Sequence, residues 1–179
     1  MLTFPDEVIY THEAAGESIR IRRRFYVIKI KSVEVLVYRY PLETTVQTSF
    51  GTMHDRPMVL VKLIDEDDYV GVGEVWCNFP AVGAEHRARL IDSVFTPLLT
   101  MEPFDNPASA FELLTRKTWV LGLQTGEFGP IAQCIAGIDI AFHDLMARRD
   151  KTPLWKYLGG LSDSVETYAS GINPTDAEK

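Results

Sequence analysis

The chain has 179 residues, with 18 Lys and Arg against 25 Asp and Glu and a net charge of −7. That length suffices for one domain with a real core, or for one domain and part of another, and the acidic balance argues against a general nucleic-acid binder. No apolar run reaches the roughly 18 residues of a membrane span, no secretory signal opens the chain, and Cys77 and Cys134, far apart and in no CxxC pattern, read as reduced thiols of a cytoplasmic protein.

Residues 1–26 mix acidic and small residues with the basic cluster Arg20, Arg22, Arg23 and Arg24, and no period is visible. Such a segment reads as a flexible extension. The cluster leaves open a contact with nucleic acid or membrane, and a start near Val27 is a further reading of the same stretch.

From Val27 to Tyr40 the pattern turns to β, and its alternation shifts phase at Ser32 between Ile28, Ile30 and Val33, Val35, Val37. That shift predicts a bulge, and Pro41 is expected to end the strand because it cannot donate to a ladder. Residues 42–55 show no helical stripe and read as a long connecting loop. Met58–Ile64 and Tyr69–Trp76 form a hairpin around Asp65-Glu66-Asp67-Asp68, which reads as a solvated tip. Gly71 and Gly73 point to a close backbone approach. Cys77–Gly83 is a second irregular loop.

Helices follow. Residues 84–99 carry an apolar stripe through Leu90, Ile91, Val94, Phe95, Leu98 and Leu99, with Pro97 expected to kink or tighten the last turn. Asn106-Pro107 reads as an N-cap and first helical proline, opening a helix to about Leu121 with Phe111, Leu114, Thr118 and Leu121 inward. The longest helix runs from Pro130 to about Arg149. Its stripe is Ile131, Ile135, Ile138, Phe142 and Leu145, and Gly137 within it predicts close packing of another element. Thr152-Pro153 caps a short helix ending at Gly159-Gly160. Val165–Gly171 reads as a lone strand, with a further helix starting at residues 176–179. Strands followed by helices give an α+β class, and the final strand and helix read as the repeating unit of a parallel barrel or a doubly wound sheet.

The stretch AGIDIAFHDLMARRDKTPLWKYLGG, residues 136–160, closely resembles the signature helix of the mandelate racemase/muconate lactonizing enzyme group of the enolase superfamily. Matching positions are Gly137, Ile138, Asp139, Ala141, Asp144, Leu145, Ala147, Pro153, Leu154, Leu158 and Gly159. Cys134, Phe142 and Tyr157 depart conservatively. IKIKSVEVLVYRYPL, VGVGEVWCNFP and VETYASGINP are similar, in order, to the group's opening strand, the end of its third strand and its first barrel strand.

Beyond the N-terminal extension over residues 1–26, the resemblance implies an α+β capping domain over 27–160 and the start of a (β/α)₈ barrel over 161–179. It implies that loops 42–55 and 75–83 close over the barrel mouth, with Thr48, Ser49, Phe50, Trp76 and Asn78 facing substrate. It further implies Mg²⁺-assisted abstraction of a proton next to a carboxylate, by a racemase, dehydratase, epimerase or cycloisomerase acting on a sugar acid or related hydroxy acid. The metal ligands and bases it calls for lie on strands beyond Lys179, so no catalytic or metal-binding residue is assigned here and the chain alone is expected to be inactive. The implied partners are a carboxylate substrate, the missing barrel and further copies of the full-length protein, with no nucleic acid and no membrane.

The residues offer no substitute site. His12, His54, His86 and His143 are scattered, and Asp139 with His143 and Asp144 with Arg148 read as local helix pairs. Glu74 reads as a structural hydrogen-bonding group. No GxSxG, HExxH, P-loop or GxGxxG occurs. The rival readings are a stand-alone binding module derived from such a cap, a split enzyme whose barrel is another chain, and a basic-tailed nucleic-acid binder.

Overall fold

In the computed structural model, residues 7–14, 17–24 and 27–169 are described. Where the sequence shows no period, β1 (Glu7–Ala14) and β2 (Glu17–Arg24) pair as an antiparallel ribbon with Glu7 opposite Arg24. A separate antiparallel sheet follows, in the order β3 (Ile30–Thr48), β4 (Gly51–Asp65), β5 (Val70–Val75). The register of β3 against β4 shifts between Ile30 and Ser32, where the sequence alternation changes phase.

Two expectations about β3 are corrected. It does not end at Pro41, and residues 42–55 are not a loop: β3 continues to Thr48, β4 returns from Gly51, and a second register shift lies between Pro41 and Val46. The reason is positional. β3 is an edge strand, where a proline costs nothing if its missing N–H would have pointed outward. Gly51 closes the tip at φ 138°, a backbone angle that disfavours any side chain.

The helices are α1 (Gly83–Leu90), a π turn at Ile91–Phe95, α2 (Thr96–Met101), α3 (Pro107–Thr125), α4 (Phe128–Arg149) and α5 (Leu154–Tyr157). The turn before Pro97 widens rather than tightens. Proline has no N–H for the Ser93 carbonyl and its ring crowds that carbonyl, so the helix relaxes to a wider winding just upstream. The predicted cap of α3 is a reciprocal pair: the Ser109 N–H donates to Asn106 Oδ1 at 2.9 Å and the Asn106 N–H to Ser109 Oγ at 3.3 Å. Gly126 ends α3 in the left-handed region at φ 72°. Its inner face is Ala110, Leu114, Thr118 and Gly122; Phe111, expected inside, is 46% exposed. The angular step from Leu114 back to Ala110 keeps a four-residue spacing that leaves position 111 outside.

α4 lies across the sheet. Its stripe Ile131, Ile135, Ile138, Phe142 and Leu145 is buried as the spacing predicts, against Val59, Val61, Leu63 and Val75. Helix and sheet approach so closely that a Cβ on Gly73 would sit 2.0 Å from the Gly137 carbonyl oxygen, and one on Gly71 2.0 Å from that of Ala141. Beside this contact, Asp144 Oδ2 accepts from the outward N–H of Val72 at 2.8 Å and from Arg148 Nε at 2.8 Å. The acidic turn is only partly a solvated tip. Asp65 is 1% exposed, accepts from the N–H groups of Asp67 and Tyr69, and pairs with Arg149 at the end of α4. Its position explains this: Val59, Val61, Leu63 and Asp65 share the inward phase of β4.

The strand expected at Val165–Gly171 does not form over residues 165–169, where Val165 and Tyr168 stay exposed. A strand needs a ladder partner, and none pairs with these residues among those described. Ser170, Gly171 and the helix start expected at 176–179 lie outside the described residues.

Candidate functional site

Two chain reversals meet at one end of the sheet: the β3–β4 tip and the segment that follows β5. β4 runs away from the tip and β5 runs back beside it, so Val75 stands opposite Val59 and points the following residues toward the tip. Contact is made by aromatic rings, with Phe50 and Phe79 centroids 6.1 Å apart and tilted by 42°.

Each predicted site residue can be placed. The Thr48 hydroxyl is used by the tip itself, donating to the Gly51 carbonyl at 3.0 Å and accepting from the Phe50 N–H at 3.2 Å. Ser49 is exposed beside it. Phe50 is 84% exposed and Trp76 51%, so most of each surface faces outward rather than packing on the sheet. Asn78 is half-buried. The residue that joins the second segment to the tip is Phe79, rather than Trp76 or Asn78. Glu74 is exposed on the strand leading in.

Sequence reasoning also missed two arginines. Arg39 on β3 binds Glu85 through both carboxylate oxygens, at 2.8 and 2.7 Å, Asp55 on β4 at 2.8 Å and the Ala81 carbonyl at 2.7 Å. The hydrogen bonds to Glu85 raise the Arg39 guanidinium above its usual value, and the same contact holds the Glu85 carboxyl below its own. Arg87 on α1 is buried under the second segment. It donates to Gln133 Oε1 at 3.0 and 2.7 Å and to the carbonyls of Gly83 and Phe79 at 3.4 and 3.5 Å. His86 meets Glu127 at 2.9 Å on the same side of α1. The signal for Arg87 is phase, since it lies on the helical stripe with Ala84 and Ile91. Arg39 has no such signal, because β3 is exposed from Leu36 to Tyr40.

Both cysteines are buried free thiols. Burial pushes Cys77 up and Cys134 up to about 12. Folding therefore holds the proton on each thiol after the unfolded chain would have lost it. Their contribution to stability is complete below the unfolded value of about 9 and declines as pH rises past it, for Cys134 toward about 12, by at most about 1.4 kcal/mol per pH unit for each thiol. Neither thiol should react with a disulfide reagent at pH 8 faster than the chain unfolds; rapid titration of one equivalent in the folded protein would contradict the burial argument.

Among the described residues, no group of three or more His, Cys, Asp or Glu is placed to hold a metal ion, and no helix is long and apolar enough to cross a membrane. Asp139 and His143 approach at 3.8 Å on α4, a local pair as expected. The arrangement is thus a surface that can contact and cover something.

Residues 29–159 match the family model described as the mandelate racemase / muconate lactonizing enzyme N-terminal domain. The chain belongs to this family. Its sheet-then-helices order is that of the family's capping domain, so the α+β capping fold expected from the sequence is the one observed. A mandelate racemase/muconate lactonizing enzyme from Bordetella bronchiseptica RB50 is 54% identical, with a TM-score of 0.75 over 83% of this chain and 38% of that one. The 3,6-anhydro-alpha-L-galactonate cycloisomerase of Streptomyces coelicolor is 30% identical over 145 residues, 80% of this chain and 38% of that protein. A Bradyrhizobium enolase complexed with magnesium and mandelic acid is 19% identical with a TM-score of 0.62, over 75% of this chain and 36% of that one, and shares the fold. The family's curated members similar to this chain include racemases, dehydratases, epimerases and cycloisomerases. The chain spans about two fifths of the length of the relatives it matches.

Proposed function

We propose that this chain is the substrate-covering cap of a Mg²⁺-dependent enzyme that abstracts a proton next to a carboxylate, with a sugar acid or related hydroxy acid as substrate. The observation that carries the reading is the meeting of two exposed aromatic-bearing reversals at one end of the sheet, Phe50 on one and Trp76 on the other. Phe50 and Trp76 supply the apolar contact, and Thr48, Ser49 and Asn78 line the same face. Together they exclude water from the reacting carbon and set which substrate fits.

Mg²⁺ would act as a Lewis acid on the substrate carboxylate. The residues described here do not fit a Mg²⁺ site, so the ligands and the base belong to the barrel part of the enzyme. The magnesium found with related structures supports the metal assignment. The same reading makes the full-length protein a homo-oligomer of the cytoplasm, with no nucleic acid or membrane partner; two thiols kept reduced and buried are in keeping with that compartment.

Two results test it. The 179-residue chain alone, incubated in D₂O with Mg²⁺ and a panel of sugar acids, should wash no deuterium into the α-position; incorporation above the protein-free control sinks the division of labour. Joined to the barrel of the Bordetella bronchiseptica protein, the cap should turn over a sugar acid. Phe50→Ala should then cost roughly tenfold or more in kcat/KM, the worth of one apolar substrate contact, with the thermal midpoint unchanged. An unchanged kcat/KM would sink the covering role of Phe50, and a fusion with no turnover would favour a stand-alone binding module.

A further inference from the structure

The β3–β4 hairpin and the post-β5 segment touch at two places: Phe50 against Phe79 at the tip, and a polar contact further down the hairpin, where Arg39 stands opposite Pro57. Beyond the Phe50–Phe79 contact, the Arg39 guanidinium spends every face on a different element: Asp55 on the strand leaving the tip, the Ala81 carbonyl within the second segment, and Glu85 in the first turn of α1 where that segment ends. Arg39 itself stands on the strand that leads into the tip. The guanidinium is the shape for this task, since its planar fork binds one carboxylate by two parallel bonds and still reaches two further acceptors.

We propose that Arg39 is a positioning residue that fastens the two substrate-covering reversals into one unit, so that a displacement of either is carried to the other. The consequence rests on the cap reading: the two halves of the lid would open and close together. The coupling itself needs no substrate. Isolated surface ion pairs hold little, but here one side chain closes a ring through four hydrogen bonds, two of them to a single carboxylate.

The test is amide hydrogen exchange on the full 179-residue chain, comparing the parent with Glu85→Ala, Asp55→Ala and Arg39→Lys. Glu85 makes no bond to the tip, yet Glu85→Ala should speed exchange at residues 47–53 about three- to tenfold, the loss of one charged hydrogen-bond pair. Asp55→Ala should do the same at residues 77–83. Arg39→Lys, which keeps the charge and loses the fork, should loosen both. Exchange in the middle of α4, which Arg39 does not touch, should stay as in the parent. A role confined to local structure predicts otherwise: each alanine loosens its own side alone, and that result overturns the proposal, as does a uniform rise that includes α4. The cap reading fails separately, if Phe50→Ala leaves substrate turnover unchanged while the cross-effects are present.

Discussion

Gly73→Ala should destabilise the chain by about 3 kcal/mol or more, at the upper end of what overpacking costs. The added methyl would stand 2.0 Å from the Gly137 carbonyl oxygen and 2.8 Å from the Ala141 amide nitrogen, both backbone atoms inside a helix. A side chain could turn away, but a helix backbone cannot yield without shifting α4 off the sheet and opening the contacts of Ile138, Phe142 and Leu145. For a domain of this size the thermal midpoint should fall by roughly 6–12 °C. The reciprocal change, Gly137→Ala, is the control. Its methyl meets a side-chain atom first, Val75 Cγ2 at 2.4 Å, and backbone atoms only at 3.1 Å (Glu74 O) and 3.2 Å (Val75 Cα), and alanine regains up to about 1 kcal/mol of helix propensity. Gly137→Ala should therefore cost clearly less. Equal losses in urea unfolding, or a larger loss for Gly137→Ala, would show that α4 and β5 are not held at the separation seen.

Asp65→Ala should cost about 3–5 kcal/mol, the range for breaking a buried ion pair from one side. The carboxylate is 1% exposed and does three jobs at once. Oδ1 accepts from the Asp67 N–H at 3.0 Å and the Tyr69 N–H at 2.8 Å, fixing the β4–β5 turn, while Oδ2 accepts from Arg149 at 3.1 Å, fixing the end of α4 to it. Arg149 also binds Asp67 and lies 5.4 Å from the Tyr69 ring centroid, so the turn and the helix end form one cluster. Asp65→Asn keeps the acceptor for the turn and gives up the charge, so it should lose less than the alanine variant. Chemical denaturation of both variants would decide the matter: if the alanine and asparagine losses are the same, the turn bonds contribute nothing beyond the charge.

Most of the fold was legible because its elements bury one face each. The α4 stripe, the α3 cap, the Ser32 phase shift and the glycine approach all follow from period and residue type. The long β3–β4 hairpin was not. Its distal half buries almost nothing beyond Met53, so Thr44, Thr45, Gln47 and Thr52 carry no alternation to read, and the ladder, interrupted after Pro41, resumes from Val46 to Thr48 through the backbone. At the site, Phe50 and Trp76 were reached through the family resemblance, which pointed to the segments that carry them. Arg39, Asp65 and Arg87 were not, although Asp65 and Arg87 sit in phase with buried apolar neighbours. A charged residue on the inward phase is the mark of a buried polar anchor, and that rule would have found these two; Arg39, on an exposed stretch of β3, carries no such mark.

The bond from the Val72 N–H to Asp144 joins residues 72 positions apart, which gives it a meaning during synthesis. The β4–β5 hairpin leaves the ribosome with its outer edge uncovered, and at about 5–20 residues per second the helix that supplies Asp144 arrives roughly 4–14 s later. Throughout that interval a nascent chain of this protein offers an apolar, glycine-containing strand edge to any other nascent chain nearby. Weakening the Asp144 contact would lengthen the exposure from seconds to the life of the protein, so its effect should be read in the insoluble fraction of freshly made material.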